Sequence, residues 1–376
     1  MAIYSASANS LSQLQALPPD WPGNFWLHWV VFSVIILTFV LVSAIAFIWF
    51  ERRGVGRFQI RLGPNRTGPF GLLQPVADVI KILTKEDIVP AKGDKLVFWL
   101  APLAAFVPVV MIFAVIPFQS GALLADLNIG ILYVIAISSV AIVGVFMAGW
   151  ASNNKYSLIG AMRDVAMLIS YEIPLALSIV GVVIIAGSLS LTEIVASQHI
   201  PFIFLQPLGF LIFFIVSLAE SNRTPFDLVE AESEIVAGYN IEYSGMKFGT
   251  LYLAEYAEVI AMSAIMTTLF LGGWQGPLLP PFLWFLIKVF AIFFLIIWIR
   301  STIPRLRIDQ VMAFAWKFLL PLALINLFIT SLQVVFWFEA LEDSSWLIAP
   351  LNLIVTAVLI FSWSRFFRLG GERIEV

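Results

Sequence analysis

The densest chemistry in this sequence lies between residues 220 and 258. Glu220, Asp227, Glu230, Glu232, Glu234, Glu242, Glu255 and Glu258 crowd this stretch, with only Arg223 and Lys247 to balance them. On a helix Asp227, Glu230 and Glu234 share one face. The acids are interleaved with Phe226, Leu228, Val229, Ile235, Val236 and Tyr239. Carboxyl groups packed together beside an apolar surface raise one another's pKa, so they can hold and pass protons near neutral pH. A polar-lined pocket for a headgroup and a solvated acidic face that repels anions are the other readings of the same residues.

Three more ionisable residues fall in or at the edge of long apolar runs. Glu51 closes the first run, Glu172 lies in Ile169-Ser170-Tyr171-Glu172-Ile173-Pro174, and Lys288 stands inside the run that ends at Arg300. A charge in hydrocarbon is costly, which makes such residues functional candidates. The plainer reading of Lys288 is snorkelling on its long stem. For Glu172 it is a hydrogen bond to a neighbouring helix. Pro174 lacks the N–H that would occupy the carbonyl of Ser170, so backbone polarity is expected beside Glu172 in either case.

The elements that position these groups must be membrane helices. Hydrophobic residues make up 61% of the 376, charged residues 12%, and mean hydropathy is +0.97. Ordinary soluble domains are about a quarter charged. A bilayer-crossing helix needs roughly 20 apolar residues, and irregular backbone cannot face lipid unpaired. The runs at 28–50, 97–117, 129–149, 166–186, 202–219, 253–272, 281–300, 318–338 and 347–364 predict an all-α polytopic membrane fold. That is about nine transmembrane helices in a single membrane domain, 28–364. An outside segment, 1–27, precedes it, and a tail, 365–376, follows. The opening residues lack the basic region of a signal peptide.

Charge orients the spans. Of the 21 Lys and Arg, all but Lys288 fall in or at the edges of 51–96, 150–165, 220–252, 301–317 and the tail. The opposite gaps carry Asp20, Asp126, Glu193, Glu339, Glu342 and Asp343 and no basic residue. The positive-inside rule then puts the N-terminus outside and the C-terminus in the cytoplasm. Trp21, Trp26, Trp29, Trp99, Trp150, Trp274, Trp346 and Trp363 sit near span ends, as an interfacial belt would.

Composition excludes several functions. With no cysteine there is no disulfide framework and no thiolate zinc or iron–sulfur site. His28 and His199 are far apart, which removes an all-histidine metal site and argues against a bis-histidine haem. No dinucleotide or phosphate-loop motif occurs. The near balance of charge makes nucleic acid a poor partner.

The first basic gap is more than a linker. Leu73, Val76, Val79, Ile80 and Leu83 make an apolar stripe at helical spacing, with Asp78, Lys81 and Lys85 on the other side. This predicts an amphipathic helix over Leu72–Thr84 at the membrane surface or against a partner. Gly63-Pro64-Asn65 and Gly68-Pro69 read as turns. Two function classes fit: a coupling or channelling subunit without its own redox centre, and a stand-alone transporter. Charges gathered at the cytoplasmic loops favour the first, because a transporter calls for related halves with broken mid-membrane helices.

Four stretches make the chain recognisable: ERRGVGRFQIRLGPNRTGPFGLLQPVADVIKILTKED (51–87), ASNNKYSLIGAMRDVAMLISYEIPLALS (151–178), AESNRTPFDLVEAESEIVAGYNIEYSGMKF (219–248) and IRSTIPRLRIDQVMAFAWKFLLPLALINL (299–327). They closely resemble the quinone-site membrane subunit of respiratory complex I, found in bacterial NADH–quinone oxidoreductase and in its mitochondrial counterpart. The resemblance runs over about residues 30–338. It implies a proton-pumping NADH:quinone oxidoreductase in which this subunit carries no flavin, haem or iron–sulfur cluster. Quinone, either ubiquinone or menaquinone, is bound as substrate.

The partners implied are the peripheral-arm quinone-site and iron–sulfur subunits, small membrane subunits, antiporter-like proton-pumping subunits, and lipid. The setting implied is a bacterial plasma membrane. By motif, Glu51, Arg52, Arg53, Arg61, Arg66, Asp78, Lys81 and Arg300 fall along the quinone passage or cavity. Glu172, Glu220, Arg223, Asp227, Glu230, Glu232, Glu234, Glu255, Glu258 and Lys288 fall on the proton-coupling side. Arg305, Arg307 and Asp309 fall at the peripheral-arm interface.

The chain departs from the family pattern at two acids. Before ISYE the family reads RAAAQ, where this chain has Arg163-Asp164-Val165-Ala166-Met167. After AEYA it usually has Asn, where this chain has Glu258. A ninth span also goes beyond the common eight. Membrane-bound hydrogenases and related ion-pumping dehydrogenases use similar subunits and are the alternative membership.

Overall fold

The computed structural model describes residues 25–121, 123–228, 238–343 and 345–366. At 25–29, 337–343, 345–348, 364 and 366 it describes the backbone alone. In chain order the helices are α1 (Phe25–Phe58), α2 (Gln74–Thr84), α3 (Lys95–Ile112), α4 (Gly130–Ala151), α5 (Lys155–Ala186), α6 (Leu191–Ser197) and α7 (Phe202–Leu205). They continue with α8 (Pro207–Glu220), α9 (Gly245–Phe270), α10 (Pro281–Thr302), α11 (Ile308–Ala313), α12 (Leu320–Asp343) and α13 (Ser345–Phe366). A π-helical turn, Phe314–Leu319, joins α11 to α12.

The protein is an all-α, multi-pass membrane protein. Seven helices among the described residues are long and apolar enough to cross a bilayer, and two shorter apolar ones, Pro207–Glu220 and Ala349–Trp363, accompany them. Eight of the nine apolar runs of the sequence each overlap one of these helices, and the run 202–219 is divided between α7 and α8 at Gln206. The largest shift of a single boundary is at α5, which starts at Lys155 rather than at 166. Asn154 caps it: its Oδ1 accepts from Tyr156 N at 3.0 Å. The polar segment from 155 to 165 is therefore helical, and Asp164 lies inside the bundle rather than in a loop. At the other end Gly187, at φ 68°, closes α5 with its N–H on Val183 O.

Small residues let the helices approach, as they do where lipid removes the hydrophobic drive for helices to associate. A Cβ on Gly144 would lie 2.4 Å from Ala105 N, and one on Gly149 would lie 2.2 Å from Ala161 Cβ. A Cβ on Gly160 would lie 2.6 Å from Gly238. That contact lays the loop 238–240 directly on α5, and Ser157 Oγ donates to Tyr239 O at 3.2 Å beside it.

The basic segments meet at one end of the bundle. Asn153 Nδ2 donates to Lys92 O (3.1 Å), Ile88 N to Ser244 Oγ (2.9 Å), Asn154 Nδ2 to Glu242 Oε1 (2.8 Å) and Leu306 N to Pro225 O (3.0 Å). The acidic residues Asp126 and Glu193 lie at the other end, where Thr192 Oγ1 donates to Asp126 at 3.1 Å.

The last helix docks through polar groups. Pro321 has no N–H for the carbonyl of Lys317 four residues before it, and Trp363 Nε1 on α13 donates there at 3.3 Å. Asn352 Nδ2 donates to Leu205 O at 2.6 Å, and its Oδ1 accepts from Gln333 Nε2.

Candidate functional site

A knot of buried charge ties three segments together. Glu51 on α1 is 5% exposed. It forms ion pairs with Arg300 at the end of α10 and with Arg223 after α8, the latter at 3.4 Å. The guanidinium of Arg223, itself buried, lies 4.3 Å from the ring centroid of Tyr256 on α9. Next to it Arg305 donates to the buried Asp227 at 3.0 Å. Pairing matters here, because a buried charge left without a partner is strongly destabilising.

The surface helix is where the sequence puts it, starting two residues later, at Gln74 rather than Leu72. Leu73, Val76, Val79, Ile80 and Leu83 are all exposed, as a stripe toward lipid should be. Arg52 pairs with Asp78, and Gln74 Nε2 donates to the same carboxylate at 3.0 Å, so α2 is fastened to the end of α1. Arg53 donates to Phe70 O at 2.8 Å and stacks on Trp49 and Phe70. Both partners of the Arg52–Asp78 pair are about a third exposed or more, which limits its worth to about 0.2–1 kcal/mol. Asp78→Asn is therefore expected to leave thermal stability within about 1 kcal/mol while raising amide hydrogen exchange over residues 74–84, read by mass spectrometry.

An apolar groove of about 210 Å³ runs beside the knot. Phe39, Phe47 and Phe50 of α1, Ile260 of α9, and Phe285 and Phe290 of α10 line it. Its wall on α1 stops at Phe50, the residue before Glu51.

A second, narrower cavity lies on the other side of α9. It holds about 40 Å³, and a water needs roughly 10–15 Å³, so it has room for about three. Glu172, Glu220, Glu255 and Glu258 line it with Ser138, Ser139, Asn222 and Tyr239. Ser139 Oγ donates to Glu172, and Tyr239 Oη donates to Glu255 at 3.0 Å. Burial and the neighbouring carboxylates push the Tyr239 phenol well above its ordinary value, so it remains a donor. Asp164 is fully buried and accepts from Asn222 Nδ2 at 3.4 Å.

The structure thus brings together Glu51, Arg223 and Arg300 in one cluster and Glu172, Glu220, Glu255 and Glu258 in another. Arg61, Arg66 and Lys81 are exposed, as are Arg307 and Asp309, which pair with each other at 3.0 Å. Glu230, Glu232 and Glu234 lie outside the described residues. Lys288 stands at the far end of the bundle. Its Nζ donates to the carbonyls of Leu271 (2.7 Å), Gly273 (2.9 Å) and Gln275 (2.7 Å) just past the end of α9. A cation there matches the negative end of the helix dipole. Lys288→Met is expected to cost about 1.5–3 kcal/mol, the worth of hydrogen bonds from a charged group, seen as a lower Tm of the purified protein.

Sequence reading did not single out Asn222, Tyr239 or Ser139 as part of the site, and it noted Asp164 only as a departure. Asn222 stands in Ser221-Asn222-Arg223, close to Glu220 and Arg223, and only those neighbours signalled it. Among the described residues no group of three or more His, Cys, Asp or Glu could hold a metal ion.

Comparisons with known proteins agree on one family. The profile of a family described as NADH dehydrogenase matches residues 31–331. The chain is 62% identical over 354 residues to the NADH-quinone oxidoreductase H subunit of Dehalococcoides mccartyi, covering 94% of this chain and 99% of that protein. It is 52% identical over 315 residues to an NADH-quinone oxidoreductase H subunit of Geobacter sulfurreducens, the copy numbered 2 there (81% and 96% covered). With the NADH-quinone oxidoreductase H subunit of Brevibacillus brevis it shares 49% over 322 residues (84% and 95% covered).

Proposed function

Since this chain belongs to the family of the quinone-site membrane subunit of NADH-quinone oxidoreductase, respiratory complex I, we propose that its two buried clusters divide the work between substrate and proton. The protein is a membrane subunit of that complex. It forms part of the quinone channel, has no redox centre of its own, and acts alongside the other subunits. The apolar groove along α1 takes the isoprenoid tail. Glu51, Arg52, Arg53, Asp78 and Arg300 line the passage of the headgroup, and Lys81 lies along its outer edge. Arg61, Arg66, Arg305, Arg307 and Asp309 face the peripheral arm, whose quinone-site and iron–sulfur subunits deliver the electrons. The small membrane and antiporter-like subunits lie further along the membrane. The N-terminus is outside, the C-terminus is cytoplasmic, and the membrane is the bacterial plasma membrane.

Reduction of quinone to quinol takes up two electrons and two protons. While those protons are in demand, negative charge rises beside Glu51 and its arginines. Arg223 belongs to the knot, and the next residue toward α8, Asn222, lines the carboxylate cavity. A change in the knot is thereby felt by Glu220, Glu172, Glu255 and Glu258, which exchange protons with the waters the cavity can hold. Asp227, just after α8, extends this acidic path, and Glu230, Glu232 and Glu234, which lie outside the described residues, are assigned the same proton-coupling role. Lys288 closes the far end of α9 instead of carrying protons. The observation that carries this reading is Glu51, buried between Arg223 and Arg300 at the end of the apolar groove.

The experiment is gentle extraction of the native complex, followed by identification of its subunits and prosthetic groups. Flavin, iron–sulfur clusters and inhibitor-sensitive NADH–quinone reduction are expected. Nickel with hydrogen-linked activity would move the chain to the hydrogenase branch, and purification as a lone subunit would overturn the docking surfaces.

A further inference from the structure

The cavity is short of hydrogen-bond donors in a specific pattern. Glu220 Oε2, Asn222 Oδ1 and Asp164 Oδ1 are buried acceptors with no hydrogen-bond partner among the described residues. Asp164, Glu220 and Asn222 are 0%, 6% and 9% exposed. Glu220 and Asn222 line the cavity. Asn222 connects them: it binds Asp164 through Nδ2, its Oδ1 has no partner among the described residues, and the residue itself lines the cavity. Its backbone is left-handed, φ 49°, a conformation that asparagine tolerates better than most residues.

Each buried acceptor without a donor is unfavourable. One proton resolves two of the three. If Asp164 takes up a proton, its hydroxyl donates to Asn222 Oδ1. The amide turns over, because its oxygen and nitrogen occupy equivalent positions at the ends of one flat group. The NH₂ group then faces the cavity and donates to Glu220 Oε2 directly or through a water. We infer that Asp164 is a proton-binding residue of this protein, and that the Asn222 amide reports its protonation state to the carboxylate cavity by reversing its donor and acceptor ends. The proton is supplied by the carboxylic acids of the neighbouring cavity, so no charge is created or lost outside the cluster. The charged and titratable groups that bear on Asp164 are Asp227 after α8, Tyr239 in the loop laid on α5, and Glu258 on α9.

This inference rests on the proton-coupling reading of the cavity and adds a site to it. It is specific to a chain with an acid at 164, where the family pattern has a small apolar residue. Asp164 and Glu258, the two acids by which this sequence departs from that pattern, bear on the same enclosed space.

The test uses the whole complex in proteoliposomes, comparing wild type with Asp164→Asn, Asp164→Ala and Glu220→Gln. Asp164→Asn keeps an oxygen for Asn222 Nδ2 but cannot take the proton, and Asp164→Ala restores the family pattern and guards against misfolding. Expected for both Asp164 variants is the loss of one deuterium-sensitive carboxyl stretching band from the reduced-minus-oxidised infrared difference spectrum. A shifted pH dependence of protons moved per electron should accompany it. In Asp164→Asn the amide bands of Asn222 should no longer change on reduction. An unaltered carboxyl spectrum and pH profile in the Asp164 variants, with Glu220→Gln uncoupled, would overturn the inference and leave the cavity reading standing. If Glu220→Gln also pumps normally, the cavity reading itself fails.

Discussion

Glu51→Ala is expected to be the most damaging single substitution in this protein. It removes a buried carboxylate that pairs with both Arg223 and Arg300. Breaking a buried pair from one side typically costs about 3–5 kcal/mol, because the remaining charge is left uncompensated. Here two guanidinium groups would lose a shared partner. The loss should appear first as reduced amounts of the protein in membranes and a lowered Tm of whatever complex is recovered. NADH–quinone reduction should fall far more than the amount of protein does, since the same residue edges the proposed headgroup passage. Glu51→Gln is the informative companion: it preserves shape and one hydrogen-bond acceptor, so it should assemble better than the alanine variant and still reduce quinone poorly. Full quinone activity in assembled Glu51→Gln would remove Glu51 from the passage.

Glu220→Gln is expected to separate electron transfer from pumping. Glu220 ends α8, is buried, and presents an oxygen without a partner among the described residues to a cavity that it shares with Glu172, Glu255 and Glu258. Glutamine keeps the volume and removes the proton. Positioned acid–base groups contribute about 10²–10⁴-fold to proton-transfer rates. Quinone-linked proton translocation should therefore drop by about tenfold or more, while reduction of artificial acceptors, which draw electrons from the peripheral arm, continues. The measurement is pH-dye quenching in proteoliposomes beside an NADH–ferricyanide assay. Undiminished pumping would argue that protons bypass this cavity.

Much of the site is legible before any helix is placed. Burial can be read for Glu51, and half-burial for Glu172, because a charged residue at the edge of, or inside, an apolar run has few ways to remain in water. The amphipathic stripe of α2 is legible for the same reason in reverse, since its period shows which side faces lipid. The pairing is not legible. That Glu51 meets arginines from two distant segments depends on how α1, α8 and α10 converge, and nothing in local spacing encodes that. Asp164 reads as part of a basic loop because a polar stretch ordinarily ends a membrane helix. The Asn154 cap and the close contact of Gly160 with Gly238 carry α5 through that stretch and bury its acid. The surroundings of Lys288 are equally hidden: the carbonyls that hold it belong to the turn after α9, which sequence periodicity does not mark.

The docking of α13 has a consequence for how the chain is made. The carbonyls of Lys317 and Leu205 receive side-chain hydrogen bonds from Trp363 and Asn352. Leu205 is buried in the bundle, where no water can stand in for its donor. During synthesis, the preceding helices would already be inserted while two acceptors wait for the last one to arrive. The last span thus completes the hydrogen bonding of the helices that precede it.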